Sequence, residues 1–325
     1  ENFDHPVVDF KFYLPLDFPW VMKQLLRTLK PQKVIFTSYD IWPNLIWSCR
    51  RAGIPTTLFA ARIVPNSTKQ WPVLSNFYQH IYGAIRQIYT VSEADHHRLE
   101  TLLGRRTGTE VRNLGNPRYD RVKERTLQRG MARKDRNSSV VVLGSLHKED
   151  DEVVIPPLLD ILRRNSTLRI LWAPHEPEPE VIEEISRRLS EAGIHWELYG
   201  RRLGRFRDCQ VLIVDGVGYL AELYGRGILA YVGGGFSTGV HNVMEAAIAG
   251  IPVLFGPRYR RSHEAEQLLE YGGGVCIATA AEFHEQMARF LEDQDLRHRT
   301  GQAALEVIEA NLGATARILQ AILGS

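Results

Sequence analysis

Several residue types that bind anions and sugars lie close together in the stretch YVGGGFSTGVHNVMEAAIAGIPVLFGP, residues 231–257. The apolar run at its start and the three glycines predict a buried strand, then a turn in which the backbone passes close to another group. The apolar spacing from Val243 onward predicts a helix that begins near His241 and ends at Gly250. Unpaired N–H groups at such a turn and helix start attract an anion, and phosphate is the expected one.

Asn242 and Glu245 are three residues apart on this helix and share a face of its first turn. In that position the Glu245 carboxylate can accept hydrogen bonds from ribose or sugar hydroxyls. The alternative is a structural arrangement, with Asn242 as the N-cap and Glu245 as its capping-box partner. A dinucleotide fingerprint is excluded, because Gly233, Gly235 and Gly239 are spaced one residue too widely.

The elements that must position these residues alternate along the chain. Short apolar runs are followed by amphipathic helical segments in both halves, which predicts an α/β protein with parallel sheets covered by helices on both sides. Four successive strands of the second half end in glycine, histidine or small polar residues. Ligands of such sheets bind outside the carboxyl ends of the strands. The residues expected at this edge are Gly144, Ser145, Pro174, His175, Glu176, Gly216, Val217, Gly218, Tyr219, Gly234, Gly235 and His241.

The segment from Val122 to Ser139 is polar, charged and without a strand pattern. It predicts a boundary between two Rossmann-like domains, residues 1–125 and 126–310, with a ligand in the cleft between them. A last helix, residues 311–325, is expected to pack back on the first domain.

Composition limits the class of protein. The chain has 325 residues, 44% hydrophobic and 24% charged, and three scattered cysteines that favour a reduced compartment. No apolar run approaches the roughly 20 residues of a membrane span, and no signal peptide is visible. Hydrolase elbows and Walker A lysines are absent from the sequence.

Charge is distributed unevenly. Residues 1–130 contain 19 Lys and Arg against 11 Asp and Glu, whereas residues 131–325 contain 21 against 27. The basic half indicates an anionic partner, either a membrane surface or a phosphorylated substrate, and a solvated basic face is the alternative. Nucleic acid is not expected, because the basic residues are dispersed and no binding module is present.

The eleven histidines are not expected to bind metal. His96 and His97 lie on a polar helical segment and are expected to be solvated, and His80, His195 and His284 have no partner at ligand spacing. His241 is interpreted either as bonding the backbone of its own loop or as contacting phosphate.

The sequence resembles the 3-deoxy-D-manno-octulosonic acid (Kdo) transferases of lipopolysaccharide synthesis in six blocks. These occur in the family's order: SYDIWPNLI, NLGNPRYDRV, APHEPEP, GVGYLAELYGRG, YVGGGFSTGVHNVMEAAIAGIPVLFGP and NLGATARIL. The resemblance covers nearly the whole chain. It implies a GT-B fold, with the donor CMP-Kdo on the C-terminal domain and a lipid A precursor on the N-terminal one. It also implies inverting transfer without a metal or other cofactor, at the cytoplasmic side of the bacterial inner membrane.

The resemblance also implies roles for individual residues. Donor contacts would be Pro174 and His175, the turn of Val217, Gly218 and Tyr219, and the helix start formed by Asn242, Val243, Met244 and Glu245. Arg118 would stabilise the departing phosphate or bind the donor carboxylate. Tyr39 and Asp40 are further catalytic candidates.

Three departures from the family pattern affect the expected activity. Asp40 stands where many members have glutamate, and His175 lies in a block that contains arginine in the family. The family's general-base glutamate and membrane anchor precede the first residue of this sequence, which therefore reads as N-terminally truncated. The hypothesis is a chain that binds the donor but is catalytically poor as given. The alternatives are a GT-B glycosyltransferase or epimerase acting on a UDP-sugar, and a non-catalytic nucleotide-sugar-binding or lipid-binding module.

Overall fold

The computed structural model describes residues 7–65, 72–104, 108–129, 139–202, 206 and 208–324. The chain divides into two compact units, Glu1–Pro117 with Gly313–Ser325, and Arg118–Leu312. Both units are built from parallel strands connected by helices, so the predicted α/β class is confirmed. Within the described ranges, no helix has the length and apolar composition needed to cross a bilayer.

The first unit begins with four strand and helix pairs. Its elements are α1 (Pro19–Leu29), β1 (Val34–Thr37), α2 (Pro43–Ala52), β2 (Thr56–Ala61), α3 (Pro72–Tyr82), β3 (Gln87–Thr90), α4 (Glu93–Leu103) and β4 (Glu110–Asn113). The strands form a parallel sheet in the order β1-β2-β3-β4. Local signals account for the helix ends: Asp17 accepts from the Asn44 and Leu45 N–H groups at the start of α2, and Ser92 caps α4.

The second unit contains a larger sheet. Its elements are α5 (Arg118–Arg129), β5 (Ser139–Leu146), α6 (Lys148–Arg164), β6 (Leu168–Pro174), α7 (Pro179–Glu191), β7 (Trp196–Leu198), α8 (Tyr199–Arg202), β8 (Val211–Ile213), α9 (Leu220–Tyr224), β9 (Leu229–Val232), α10 (Met244–Ala247), β10 (Val253–Phe255), α11 (His263–Glu270), β11 (Gly274–Cys276), α12 (Ala280–Glu292) and α13 (Gln294–Ala310).

The seven strands of this unit are parallel and lie in the order β11-β10-β9-β5-β6-β8-β7. The chain runs outward from β5 in one direction and then returns to place β9 on the other side of β5. This reversal makes the junction of β5 and β9 the topological switch point, where sheets of this type bind ligands. Alternate residues of β5 enter two cores: Val140 and Val142 face one, and Val141 and Leu143 face the other.

The chain then returns to the first unit through α14 (Ala314–Leu323). Ile318 and Ile322 of this helix pack against Tyr89 of β3, and the Arg317 side chain donates to the Leu114 carbonyl at 3.1 Å. Lys33 donates to the Ile322 carbonyl near the end of α14.

The unit limits differ from the sequence-derived limits at two points. The second unit ends at Leu312, two residues after the predicted limit at residue 310. The predicted boundary between residues 125 and 126 falls inside α5, whereas the structure divides the chain before Arg118. The reason is that α5 is amphipathic and buries Tyr119 and Val122 in the core of the second unit. Residues 130–138 of the polar segment lie outside the described residues.

The helix expected from His241 to Gly250 is wrong in length, because α10 contains only Met244–Ala247. Two backbone hydrogen bonds keep the preceding residues out of the helix. Val240 N–H donates to the Arg258 carbonyl, and His241 N–H donates to the Gly233 carbonyl. These bonds tie the segment to its neighbours instead of to a helical turn.

The glycines after β9 are required by close backbone contacts, as the sequence predicted. A Cβ atom on Gly233 would lie 2.2 Å from the Ser145 carbonyl oxygen, and one on Gly235 would lie 2.5 Å from Gly256 Cα. Both neighbours are backbone atoms, which cannot move aside without displacing an adjacent strand end. The glycines therefore allow the turn after β9 to pack directly against the ends of β5 and β10.

We expect Gly233→Ala to lower the free energy of unfolding by about 1–3 kcal/mol, because the new methyl group overpacks the junction of β5 and β9. Chemical denaturation followed by circular dichroism measures the change. Gly108→Ala is the matched control, since a Cβ there meets nothing within 4 Å. Equal stabilities of the two variants would show that the junction adapts to a side chain.

Candidate functional site

The four strand ends singled out in the sequence are neighbours at one edge of the larger sheet. Strands β9, β5, β6 and β8 are adjacent in that order, so their carboxyl ends form a continuous row. Ser145 lies in a bulge at the end of β5 with φ of +54°, and Pro174 is the last residue of β6. Gly234 and Gly235 follow β9, and Val217, Gly218 and Tyr219 follow β8.

A buried carboxylate that the sequence analysis did not single out holds two of these ends together. Asp150, in the first turn of α6, is fully buried. Its Oδ2 accepts hydrogen bonds from the His147 N–H at 2.9 Å and the Gly234 N–H at 2.8 Å, and its Oδ1 accepts from the Tyr231 hydroxyl at 2.9 Å. Burial, followed by the charge and hydrogen bond of Asp150, raises the pKa of Tyr231 far above its usual value.

Three histidines meet at the same place. His147 follows β5, His175 follows β6, and His241 follows the glycine turn after β9. Their rings are stacked, with centroids 4.2 Å apart for His147 and His175, 4.4 Å for His175 and His241, and 4.8 Å for His147 and His241. The Nε2 atoms of His147 and His241 are 2.5 Å apart. This group is called the histidine cluster below.

The histidine cluster is partly buried, and this affects its protonation. Burial, then the neighbouring His175 and His147, lower the pKa of His241 from 6.5 to about 4, although Asp150 acts in the opposite direction. His241 is therefore neutral at pH 7. The His241 backbone N–H donates to the Gly233 carbonyl, and the His241 ring contacts the rings of His147 and His175 on two other loops. Both sequence-based interpretations of the His241 side chain stay predictions.

A cavity of about 410 Å³ lies on one side of His241. Three arginines and one glutamate give its wall a net positive charge. The lining residues are Arg118, Thr238, Gly239, Val240, His241, Asn242, Val243, Arg258, Arg261, Ser262 and Glu264. A cavity of this size and charge suits an anionic group such as a phosphate or a carboxylate.

Arg118 contributes to this wall from the first residue of α5. Its Nη1 lies 3.2 Å from Glu264 Oε1, and 58% of the Arg118 side chain is exposed, against 5% for Glu264. Burial alone would raise the pKa of Glu264, but the charge of Arg118 and the hydrogen bonds around the carboxylate hold it below its usual value. The guanidinium is therefore anchored by Glu264, while more than half of the Arg118 side chain remains accessible to solvent.

Glu245 is oriented by an ion pair instead of by a capping box. Its Oε1 lies 3.0 Å from Arg125 Nη1, and its side chain is 14% exposed. The Asn242 Oδ1 accepts from the Met244 N–H at 3.2 Å, while the N-cap position of α10 is occupied by Val243. The capping-box alternative is therefore wrong, and Glu245 retains a second carboxylate oxygen for another donor.

The backbone of the glycine turn is less open to an anion than the sequence indicated. Most N–H groups from Gly233 to His241 are bonded within the fold, including those of Gly234 to Asp150 and Gly239 to the Gly234 carbonyl. An anion bound at this edge would therefore be held mainly by the arginine side chains of the cavity.

A second cavity, of about 470 Å³, lies beside His147 and His175. Its wall includes Asp151, which is paired with Arg188 at 3.2 Å. Burial raises the pKa of Asp151 from 3.8 to about 6, although Arg188 lowers it in part.

Two groups of predicted residues lie on more exposed positions. Val217 is 79% exposed and Tyr219 46% exposed, with Gly218 between them at φ of +90°. Tyr39 and Asp40 lie in the turn after β1 of the first unit, and Tyr39 is 54% exposed. The donor-binding role of Val217, Gly218 and Tyr219 and the catalytic role of Tyr39 and Asp40 stay predictions.

Comparison with known proteins gives matches over both units. A family model described as 3-deoxy-D-manno-octulosonic-acid transferase (kdotransferase) matches residues 2–121. A 3-deoxy-D-manno-octulosonic acid transferase of Chlamydophila psittaci is 30% identical over 280 residues, which cover 82% of this chain and 61% of the relative. One of Haemophilus influenzae is 25% identical over 322 residues, covering 95% of this chain and 73% of the relative.

Solved structures show the same architecture. The UDP-GlcNAc 2-epimerase of Neisseria meningitidis aligns with a TM-score of 0.65 at 16% identity, covering 94% of this chain and 80% of the epimerase. At this identity the likeness concerns the fold alone. Two units with parallel sheets connected by helices have the architecture of a GT-B type protein, as predicted. Within that class, the matched sequences are Kdo transferases, and this chain is similar to them over both units. It spans about three fifths of the length of the Chlamydophila psittaci relative.

We expect Asp150→Asn to lower the free energy of unfolding by about 2–3 kcal/mol. The amide has one acceptor oxygen in place of the two carboxylate oxygens that serve His147, Gly234 and Tyr231, and it places an NH2 donor group where one of those buried acceptors stood. Denaturant unfolding measures the effect. The exposed Asp295→Asn is the control, and a loss no larger than in that variant would contradict the role of Asp150.

We expect the raised pKa of Asp151 to affect how the free energy of unfolding depends on pH. Its pKa in the folded state, about 6, exceeds 3.8, so the folded state binds more protons between these values. The protonated Asp151 carboxyl therefore stabilises the fold below about pH 4, and this contribution is lost as the pH rises through 6. Asp151→Asn should therefore increase stability at pH 7 by about 2 kcal/mol and flatten the profile. Thermal unfolding from pH 4 to 8 tests this, and an unchanged profile in the variant would refute it.

Proposed function

We propose that this chain carries the donor-binding machinery of a glycosyltransferase that moves Kdo from CMP-Kdo to a lipid A precursor in lipopolysaccharide synthesis. The observation that carries the proposal is the combination of similarity to Kdo transferases with an arginine-lined cavity at the switch-point edge of the second unit. CMP-Kdo carries a phosphate and a sugar carboxylate. Both anions match the positive wall formed by Arg118, Arg258 and Arg261.

The residues at the edge have distinct proposed roles. Glu245, held by Arg125, accepts hydrogen bonds from the ribose hydroxyls through its remaining oxygen. Val217, Gly218 and Tyr219 cover the base, with Tyr219 providing an exposed aromatic surface. The proposed donor site is lined by Pro174, His175 and the segment from His241 to Met244. The backbone of Ser145, Gly234 and Gly235 forms the base of this site.

The proposed reaction is an inverting transfer. An acceptor hydroxyl oxygen attacks the anomeric carbon of Kdo while the bond from that carbon to the CMP phosphate oxygen breaks. A base takes the hydroxyl proton, and the electron pair of the broken bond stays on the phosphate. Arg118 stabilises the developing phosphate charge, so the transfer is proposed to need no metal or other cofactor. Tyr39 and Asp40 are proposed to act on the acceptor side.

The acceptor side is proposed to meet an anionic membrane surface, at the cytoplasmic side of the bacterial inner membrane. The first unit exposes aromatic side chains close to basic ones: Tyr13 is 98% exposed and Trp20 68% exposed, and Lys23 and Arg27 lie on α1. Aromatic and cationic side chains together favour the headgroup region of an anionic bilayer. No nucleic-acid partner is proposed.

We expect calorimetric titration in the presence of a chelator to show binding of CMP with a clear preference over UMP. Glu245→Ala should weaken CMP binding by about tenfold, because one or two ribose hydrogen bonds are lost. Glu309→Ala, an exposed change on α13, should leave it unchanged. A preference for UMP would favour a UDP-sugar enzyme, and equal CMP affinity in both variants would remove Glu245 from the site.

A further inference from the structure

The histidine cluster brings together three potential metal ligands that are 28 and 66 residues apart along the chain. Each lies at the end of a different strand, and the strands β9, β5 and β6 are neighbours at the switch point. One ring nitrogen of each histidine lies within 4.8 Å of those of the other two. The ends that carry these histidines are fixed by backbone bonds of His147 to Asp150, His175 to the Leu146 carbonyl and His241 to the Gly233 carbonyl.

The distances match a metal site with small adjustments. Nitrogen ligands of a tetrahedral zinc ion lie about 2.0–2.1 Å from the metal, which places them about 3.3 Å from one another. The nitrogens of His147 and His241 are closer than this, at 2.5 Å, and the widest pair is within 4.8 Å. Ring rotations that move each nitrogen by less than about 2 Å reach the zinc geometry while the backbone stays in place.

The charge around the cluster also favours a cation. Asp150 is buried beside it and accepts hydrogen bonds from two backbone N–H groups and a tyrosine hydroxyl, all of them neutral donors. Among the residues that the structure describes, no lysine or arginine forms an ion pair with Asp150. A buried carboxylate without a cationic partner is costly, and a divalent ion held by His147 and His241 would supply the missing charge.

We propose that His147, His175 and His241 form a binding site for a first-row transition-metal ion of the zinc type, with one coordination position open. Imidazole nitrogens suit zinc, cobalt, nickel and copper, whereas magnesium and calcium prefer oxygen ligands. Three protein ligands leave a fourth position for water or an anionic oxygen. His175 is exposed, so the ion has access from solvent.

The proposed metal site is not required by the proposed transfer reaction, because that reaction needs no metal. It shares His175 and His241 with the proposed donor site, so the two occupants would lie next to each other. The tests are independent. Nucleotide binding is measured with a chelator, and metal binding is measured without nucleotide.

The experiment uses tag-free, chelator-treated protein titrated with Zn²⁺ by calorimetry and with Co²⁺ by visible absorption. We expect one ion per chain, and ligand-field bands of a four- or five-coordinate Co²⁺ centre with nitrogen ligands. His147→Ala, His175→Ala and His241→Ala should each weaken Zn²⁺ binding by roughly 100-fold. His298→Ala, an exposed histidine on α13, should leave it unchanged.

Thermal unfolding of the three variants without metal separates loss of ligands from loss of fold, and His175→Ala is the safest variant because that side chain is exposed. Absence of the cobalt bands in the unmodified protein would overturn the proposal. Zinc binding that survives any one of the three changes in a folded variant would overturn the three-ligand assignment.

Discussion

The hydrogen bonds of Asp150 are the interaction on which the organisation of the candidate site depends. One carboxylate connects the start of α6, the turn after β9 and a strand residue of the core. These are the two strand ends on either side of the switch point, where a sheet of this kind leaves a crevice. Because the carboxylate is buried, the connection is stiff, and the loops that carry His147 and His241 start from defined positions.

The architecture was largely readable from the sequence, because buried parallel strands are continuous apolar runs and the helices between them are amphipathic. The sequence pattern did not predict β7 and β11, which have three residues each and lie at the two edges of the larger sheet. Edge strands this short carry little periodicity. The boundary at α5 was displaced because a highly charged helix hides the two core residues Tyr119 and Val122.

The candidate site was only partly readable, for a different reason. Glycine turns and strand ends are local features, so the edge that carries Ser145, His175 and Gly234 followed from the order of the segments. The partners of those residues are not local. Asp150 and His147 look like an ordinary helix start, and Glu245 lies 120 residues from Arg125. Sequence spacing contains no information on such pairs until the strand order is known.

The return of the chain through α14 has a consequence for how the protein is made. The first unit consists of residues from both ends of the chain described here, and Tyr89 of β3 is covered by Ile318 and Ile322. A ribosome therefore delivers every residue of the second unit before it delivers α14. Until then Tyr89 lacks the cover of Ile318 and Ile322, so the first unit cannot make all of its contacts before the second unit has been synthesised.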